Sequence, residues 1–178
     1  MNEKVKNYKK ANLGKKFENA INLSCEYYRL NNIAIIYKKQ TPIKIANVSY
    51  PKRSEAKITE AYFAIPSTTD YNGIYKGYYI DFEAKSTLSD YFSFNRIYPH
   101  QMEHLKATYD LGGITFLLIL FQNHNEIYLL ETKDIYPIYK KYKGIIYKKI
   151  ISIGHKVNIK YTPPIDFITQ IDEIIKKH

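Results

Sequence analysis

The run Tyr79-Ile80-Asp81-Phe82-Glu83-Ala84-Lys85 alternates between apolar and charged side chains from Ile80 onward. Such a period of two marks a β-strand with one face on a core. Ile80, Phe82 and Ala84 form the core face, and Asp81, Glu83 and Lys85 the other. Three consecutive charges on one strand face are hard to explain as a solvated edge when the neighbouring segments are apolar. Upstream stand Ser67-Thr68-Thr69-Asp70 and then Lys76-Gly77, with Glu83 thirteen positions beyond Asp70. If Lys76-Gly77 forms a two-residue hairpin turn, Tyr75 faces Tyr78. Register then sets Asp70 opposite Glu83, Thr68 opposite Lys85 and Asn72 opposite Asp81. Thr68, Asp70, Asp81, Glu83 and Lys85 would share one face of the sheet. Carboxylates about 5 Å apart repel each other unless a cation or a proton sits between them. A hard divalent cation with oxygen ligands, Mg2+ foremost, relieves that repulsion. Asn72-Gly73 offers a competing turn that pairs Asp70 with Tyr75 and scatters the cluster, and acids and lysines at this spacing also arise by chance. On spacing alone, both readings stand.

The chain has 178 residues, enough for one domain with a single core. Its 27 Lys and Arg against 17 Asp and Glu give a net charge of +10, a field that attracts polyanions. Abundant Lys, Ile, Asn and Tyr also fit AT-rich coding, so the placement of charge says more than its sum. Lys4, Lys6, Lys9, Lys10, Lys15 and Lys16 crowd the start, with few apolar residues before Leu13. Residues 1–12 therefore read as a flexible basic arm able to reach phosphates, or as a tail without a role, ahead of one domain over 13–178. The single cysteine, Cys25, excludes a disulfide framework and a cysteine metal site. No stretch reaches the length of an apolar membrane span, and the lysine-rich start lacks the core of a signal peptide, so a cytoplasmic protein is expected.

The hydrophobic pattern predicts a helix over Leu13–Leu30 with Phe17, Ala20, Ile21, Ser24 and Tyr28 on one stripe. Strands follow at Ile33–Lys38, Ile43–Val48, Thr59–Ile65, Thr68–Tyr75 and Tyr78–Lys85. A polar-aromatic loop, Ser86–Tyr98, precedes a helix at Pro99–Asp110 closed by Gly112-Gly113. Ile114–Phe121 is almost wholly apolar, as in a strand buried on both faces. A strand at Glu126–Glu131 and helices near Thr132–Tyr142 and Ile165–Lys177 complete an α/β fold, a mixed sheet flanked by helices.

From Asn32 to His104 the chain resembles the RecU-type Holliday junction resolvases. The matching text is Ile33-Ala34, Lys38-Lys39 before Thr41-Pro42, Tyr50-Pro51-Lys52-Arg53-Ser54, Glu60-Ala61-Tyr62-Phe63, Ser67 to Gly77, Tyr79 to Lys85, and His100-Gln101 with Glu103-His104. The resemblance weakens after about Leu130. It implies a PD-(D/E)xK nuclease fold, a homodimer, and Mg2+-dependent symmetric nicking of four-way DNA junctions, with Mn2+ a substitute metal. It also implies metal-site roles for Thr68, Asp70, Glu83 and Gln101, and a transition-state-stabilising role for Lys85. Glu18 falls where related nucleases place a helical acid. The loop Ser86–Tyr98 is about one residue shorter than the family pattern, so the match at Gln101 rests on the local His-Gln text.

A junction enzyme also needs a means of gripping a branch point. Between Tyr50 and Thr69 lie Lys52, Arg53 and Lys57, with Ala61, Tyr62, Phe63 and Pro66 following. Cations at a tip and apolar residues towards a base fit a hairpin stalk projecting from the sheet, suited to the centre of a junction where phosphates converge. An ordinary solvated loop is the alternative. Tyr91, Phe92, Phe94 and Tyr98 are candidates for stacking on unpaired bases, or for packing. His100 and His104 fit packing or phosphate contact better than general-base work. The resulting expectation is a resolvase working in recombination and repair, with a strand-exchange recombinase or a branch-migration motor as possible partner. The rivals are a restriction- or repair-type endonuclease on duplex DNA, and a junction-binding recombination factor without essential catalysis.

Overall fold

The computed structural model describes residues 3–65 and 67–177, with side chains from Gly14 onward. Helix α1 (Glu3–Leu30) leads to strand β1 (Ile35–Lys38), the hairpin β2 (Ile43–Ser49) and β3 (Lys57–Phe63), and the hairpin β4 (Tyr71–Tyr75) and β5 (Tyr78–Thr87). Strand β6 (Tyr91–Ser93), helix α2 (Pro99–Asp110), β7 (Ile114–Phe121), β8 (Glu126–Glu131) and α3 (Thr132–Lys141) follow. The chain continues through β9 (Gly144–Ile146), α4 (Tyr147–Ile153), β10 (His155–Ile159), β11 (Ile165–Asp166) and α5 (Ile168–Ile175).

Seven strands form the central sheet in the order β1-β4-β5-β7-β8-β10-β11. Only β5 and β7 pair in parallel, and the crossover that this requires carries α2. Each residue of β7 from Phe116 to Ile119 is fully buried, alternately against the α1–α5 side and the α2–α4 side, as its apolar run demands. On the α1 side Tyr71, Phe82 and Phe116 stack across three neighbouring strands, with ring centroids 4.8 and 4.7 Å apart. Losing the Phe82 ring from such a stack would cost about 3–5 kcal/mol.

Lys76 and Gly77 take positive φ, 49° and 84°, as a two-residue turn matched to strand twist requires. Tyr75 pairs with Tyr78 and Asn72 with Asp81, the register expected from that turn. The competing turn does not form. Gly73 lies inside β4, where an added Cβ would stand 2.0 Å from the Ile35 carbonyl, so its glycine serves the close approach of β1.

Several elements differ from the sequence expectation. Helix α1 starts at Glu3 rather than near Leu13, so an unstructured arm is not what the backbone shows there. Lysine and alanine favour helix, and no proline interrupts its extension. Met1, Asn2, Pro66 and the side chains before Gly14 lie outside the described residues. The ladder of β4 stops at Tyr71, so Thr68 and Lys85 do not pair. Within the expected loop Ser86–Tyr98, β6 pairs with β9, and Phe92 and Phe94 are buried in the core on the α2 side. Only Tyr91 and Tyr98 of its four aromatics are exposed. Strands β9, β10 and β11 and helix α4 were not foreseen, and the last helix begins at Ile168, not Ile165.

The hairpin β2–β3 forms a two-stranded sheet of its own, with nearly every side chain exposed. Lys52 and Arg53 sit in the turn at its tip and Lys57 at the start of β3, all exposed. Among the described residues no helix is long and apolar enough to cross a membrane.

Candidate active site

Asp70 and Glu83 are the first positions beyond the Tyr71–Phe82 pair, and they meet at the end of the β4–β5 hairpin. The Asp70 carboxylate accepts the Ala84 backbone N–H at 3.0 Å, which ties it to the neighbouring strand. Glu83 is fully buried. Its Oε1 accepts the Gln101 amide at 2.8 Å and the Lys85 ammonium in a shorter contact. Its Oε2 is buried with no hydrogen-bond partner. Lys85 Nζ also lies 4.0 Å from Asp70 Oδ2, so one cation faces both acids.

Gln101 reaches this site because α2 begins at Pro99. From the third helical position its side-chain oxygen accepts the Tyr98 N–H at 3.0 Å, which leaves the amide nitrogen aimed at Glu83. A cavity of about 260 Å³ opens beside the acids, lined by Asp70 and Lys85, by Glu18 of α1, and by Arg96. Glu18, the expected helical acid, pairs there with Lys38.

Asp81 shares the strand face but belongs to a second cluster. It is fully buried and accepts from Lys39 Nζ at 2.8 Å, Tyr79 OH at 3.1 Å and the Thr69 hydroxyl. His104 Nε2 lies 3.0 Å from it. Lys39 also donates its backbone N–H to the Asp70 carbonyl at 2.8 Å, and its ammonium to Thr68 Oγ1 at 3.0 Å and Thr69 Oγ1 at 2.5 Å. The segment before Asp70 is thus held at main chain and side chain by one lysine. Removing Lys39 would leave the buried Asp81 carboxylate without its lysine, the costly way to break such a pair. His100 fixes the start of the same segment, its Nε2 3.0 Å from the Ser67 carbonyl. The Thr68 hydroxyl faces Lys39 here.

Asp70 and Glu83 form the acid pair, with Glu18 of the same cavity paired to Lys38, and no group of three or more His, Cys, Asp or Glu side chains suited to a metal gathers among the described residues. That suits Mg2+, which binds through one or two carboxylates and keeps several waters. The unpaired Glu83 Oε2 fits a hard cation as its missing partner.

The family model for recombination protein U, RecU, matches residues 12–173. The chain belongs to the RecU family. Holliday junction resolvases RecU of Staphylococcus aureus strains JH9 and MRSA252 are each 46% identical to it over 169 residues, covering 91% of this chain and 81% of theirs. Among solved structures, the Holliday junction resolvase Hjc of Archaeoglobus fulgidus matches 78% of this chain and 95% of its own, at 10% identity and a TM-score of 0.38.

The RecU match takes in every residue of both clusters. Lys39 and Arg96 had no signal beyond local text, because each acts through contacts with residues 20 or more positions away or through a cavity. Burial pushes the Glu83 carboxyl up from its ordinary 4.5 to about 7, reinforced by the Asp70 charge and opposed by Lys85. The fold therefore keeps a proton that the unfolded chain releases, and folding weakens as pH rises from about 4.5 to about 7. In metal-free protein, the wild type should lose thermal stability relative to Glu83→Gln across that window, with the gap level above it. A gap that stays constant with pH would show that Glu83 is not held protonated in the fold.

Proposed function

We propose that this protein is a Holliday junction resolvase, an endonuclease that nicks four-way DNA junctions symmetrically as a homodimer, with Mg2+ as its metal and Mn2+ as a substitute. Its setting would be homologous recombination and DNA repair. The observation that carries this reading is the buried, unpartnered Glu83 Oε2 beside Asp70 and Lys85, in a chain of the RecU family. The names of its Staphylococcus aureus relatives support the choice of substrate.

Asp70 and Glu83 would hold the metal, Thr68 and Gln101 adding neutral oxygens if their side chains turn from Lys39 and Tyr98. Bound there, the metal would supply Lewis-acid polarisation of a phosphoryl oxygen and a water of lowered pKa. Lys85, held between the two acids, offsets charge on the pentacoordinate phosphorane or orients the attacking water. Gln101 keeps Glu83 in place, and Lys39 keeps Asp70 opposite it. Asp70→Asn should abolish nicking of a synthetic four-way junction with Mg2+ while junction affinity holds or rises, because a lost carboxylate repels phosphate less. Lys85→Ala should slow single-turnover nicking by on the order of 10²-fold with metal binding retained. A near wild-type rate in Asp70→Asn would remove the metal-site assignment, and a loss under about threefold in Lys85→Ala would reduce that lysine to an ion-pair partner.

The stalk supports a junction over straight duplex. An isolated two-stranded hairpin is marginal in water, and β2–β3 exposes Ile43, Ile45, Ile58, Tyr62 and Phe63. Contact with DNA or with a second copy of the chain would cover it. In a dimer, two stalks hold the branch point while two metal sites face strands of like polarity, which gives paired nicks. Replacing Lys52, Arg53 and Lys57 together with alanine should weaken four-way junction binding far more than duplex binding at equal salt. An equal loss on both would favour a duplex endonuclease and leave the hairpin a generic phosphate contact.

A further inference from the structure

Beyond Lys85, strand β5 continues through Ser86 and Thr87 past the metal-site acids. Ser86 and Arg96 line two adjoining cavities. The first holds Asp70 and Lys85. The second, about 370 Å³, brings Arg96 and the hydroxyls of Ser86, Thr87, Ser89 and Ser93 together with Leu88, Tyr91 and Gln122, and no carboxylate lines it. The first is built around acids, whereas the second carries one cation, several hydroxyls and the Gln122 amide, whose oxygen is buried without a partner.

Arg96 makes no ion pair with an acid among the described residues, although acids are close by in the first cavity. Its guanidinium lies 5.9 Å from the Phe92 ring centroid, above a side chain that is itself fully buried. Partial burial lowers its pKa from the ordinary value, but a guanidinium so shifted still carries its charge at neutral pH. The hydroxyls divide by use. Thr87 donates to the Ser89 carbonyl at 3.4 Å, and Ser89 Oγ accepts the Tyr91 N–H at 3.1 Å. The Ser89 proton is left over, and the Ser86 and Ser93 hydroxyls have no protein partner among the described residues. Free hydroxyl donors around an unpaired guanidinium, with the Gln122 amide beside them and no acid in the wall, match the oxygens of a phosphodiester.

We propose that Arg96 and the serines around it form a second phosphate subsite, which holds a phosphate of the cleaved strand next to the one lying between Asp70, Glu83 and Lys85. The proposal rests on the nuclease reading of the neighbouring site. Ser86, directly after Lys85, belongs to both cavities, so one DNA strand can pass from one to the other without leaving the protein surface. Anchoring the flanking phosphate fixes the scissile one in line with Lys85, a positional gain that diffuse surface charge cannot give. Arg96 would be a positioning residue.

Binding of a labelled four-way junction and of its duplex arm, in EDTA so that no strand is cut, tests this across roughly 50 to 200 mM salt. Arg96→Ala should bind both DNAs about tenfold more weakly at low salt, and the slope of log affinity against log salt should fall by about 0.9, the value of one phosphate contact. Arg96→Lys should recover the slope, because one charge suffices for counterion release. An unchanged slope in Arg96→Ala would overturn the proposal even if binding weakened, since it would mean that Arg96 only braces Phe92. So would a slope that Arg96→Lys fails to restore. Because the slope is also read on duplex, a wild type that cuts no junction would sink the resolvase reading while the subsite could still be judged.

Discussion

The stack of Tyr71, Phe82 and Phe116 across β4, β5 and β7 is the contact on which the site depends. Because the side-chain period of a strand is two, a slip of one residue in β5 would send Glu83 into the α1 core and Phe82 onto the acid face. The aromatic rings make that slip very costly, and the Lys76-Gly77 turn sets the same register from the other end. Together they bring Asp70 and Glu83 together where the β4 ladder has stopped and Lys39 holds the incoming segment against β5.

Crowding acids on one buried face creates a charge problem that the protein handles in two ways. Asp81 is neutralised within the fold: Lys39, Thr69 and Tyr79 saturate its oxygens, with His104 at hand. Glu83 is left incomplete, with one oxygen bonded and one bare. Burial raises its proton affinity, so the fold as it stands favours a proton at this site. The contrast separates a carboxylate satisfied within the fold from one with an oxygen left unpartnered. Lys39 joins the two, since its ammonium serves Asp81 while its N–H holds Asp70.

Much of this was legible in the chain. The alternation over Ile80 to Lys85 gave the strand and its faces, the Lys76-Gly77 turn gave the register, and Pro99 with Gly112-Gly113 gave both ends of α2. What could not be read depends on distant partners. Strand β6 exists only through β9, about fifty residues on, and neither has enough periodicity to be seen alone. Burial of Phe92 and Phe94 follows from that pairing, so of the two readings of this aromatic loop packing holds for them, and only Tyr91 and Tyr98 are exposed. Asp81 was expected to share the face of Asp70 and Glu83 because parity puts it there. Parity says nothing of Lys39, whose ammonium draws Thr68 and Thr69 towards Asp81 and away from the end of the ladder.

The central claim is that Asp70 and Glu83 share one divalent cation. A crystal of the protein soaked with Mn2+ and measured for anomalous scattering tests it without relying on activity. The account predicts a single strong peak within bonding distance of Asp70 and of Glu83 Oε2, with Asp81 still paired to Lys39. A peak at Asp81, or none beside Glu83 at saturating Mn2+, would contradict it.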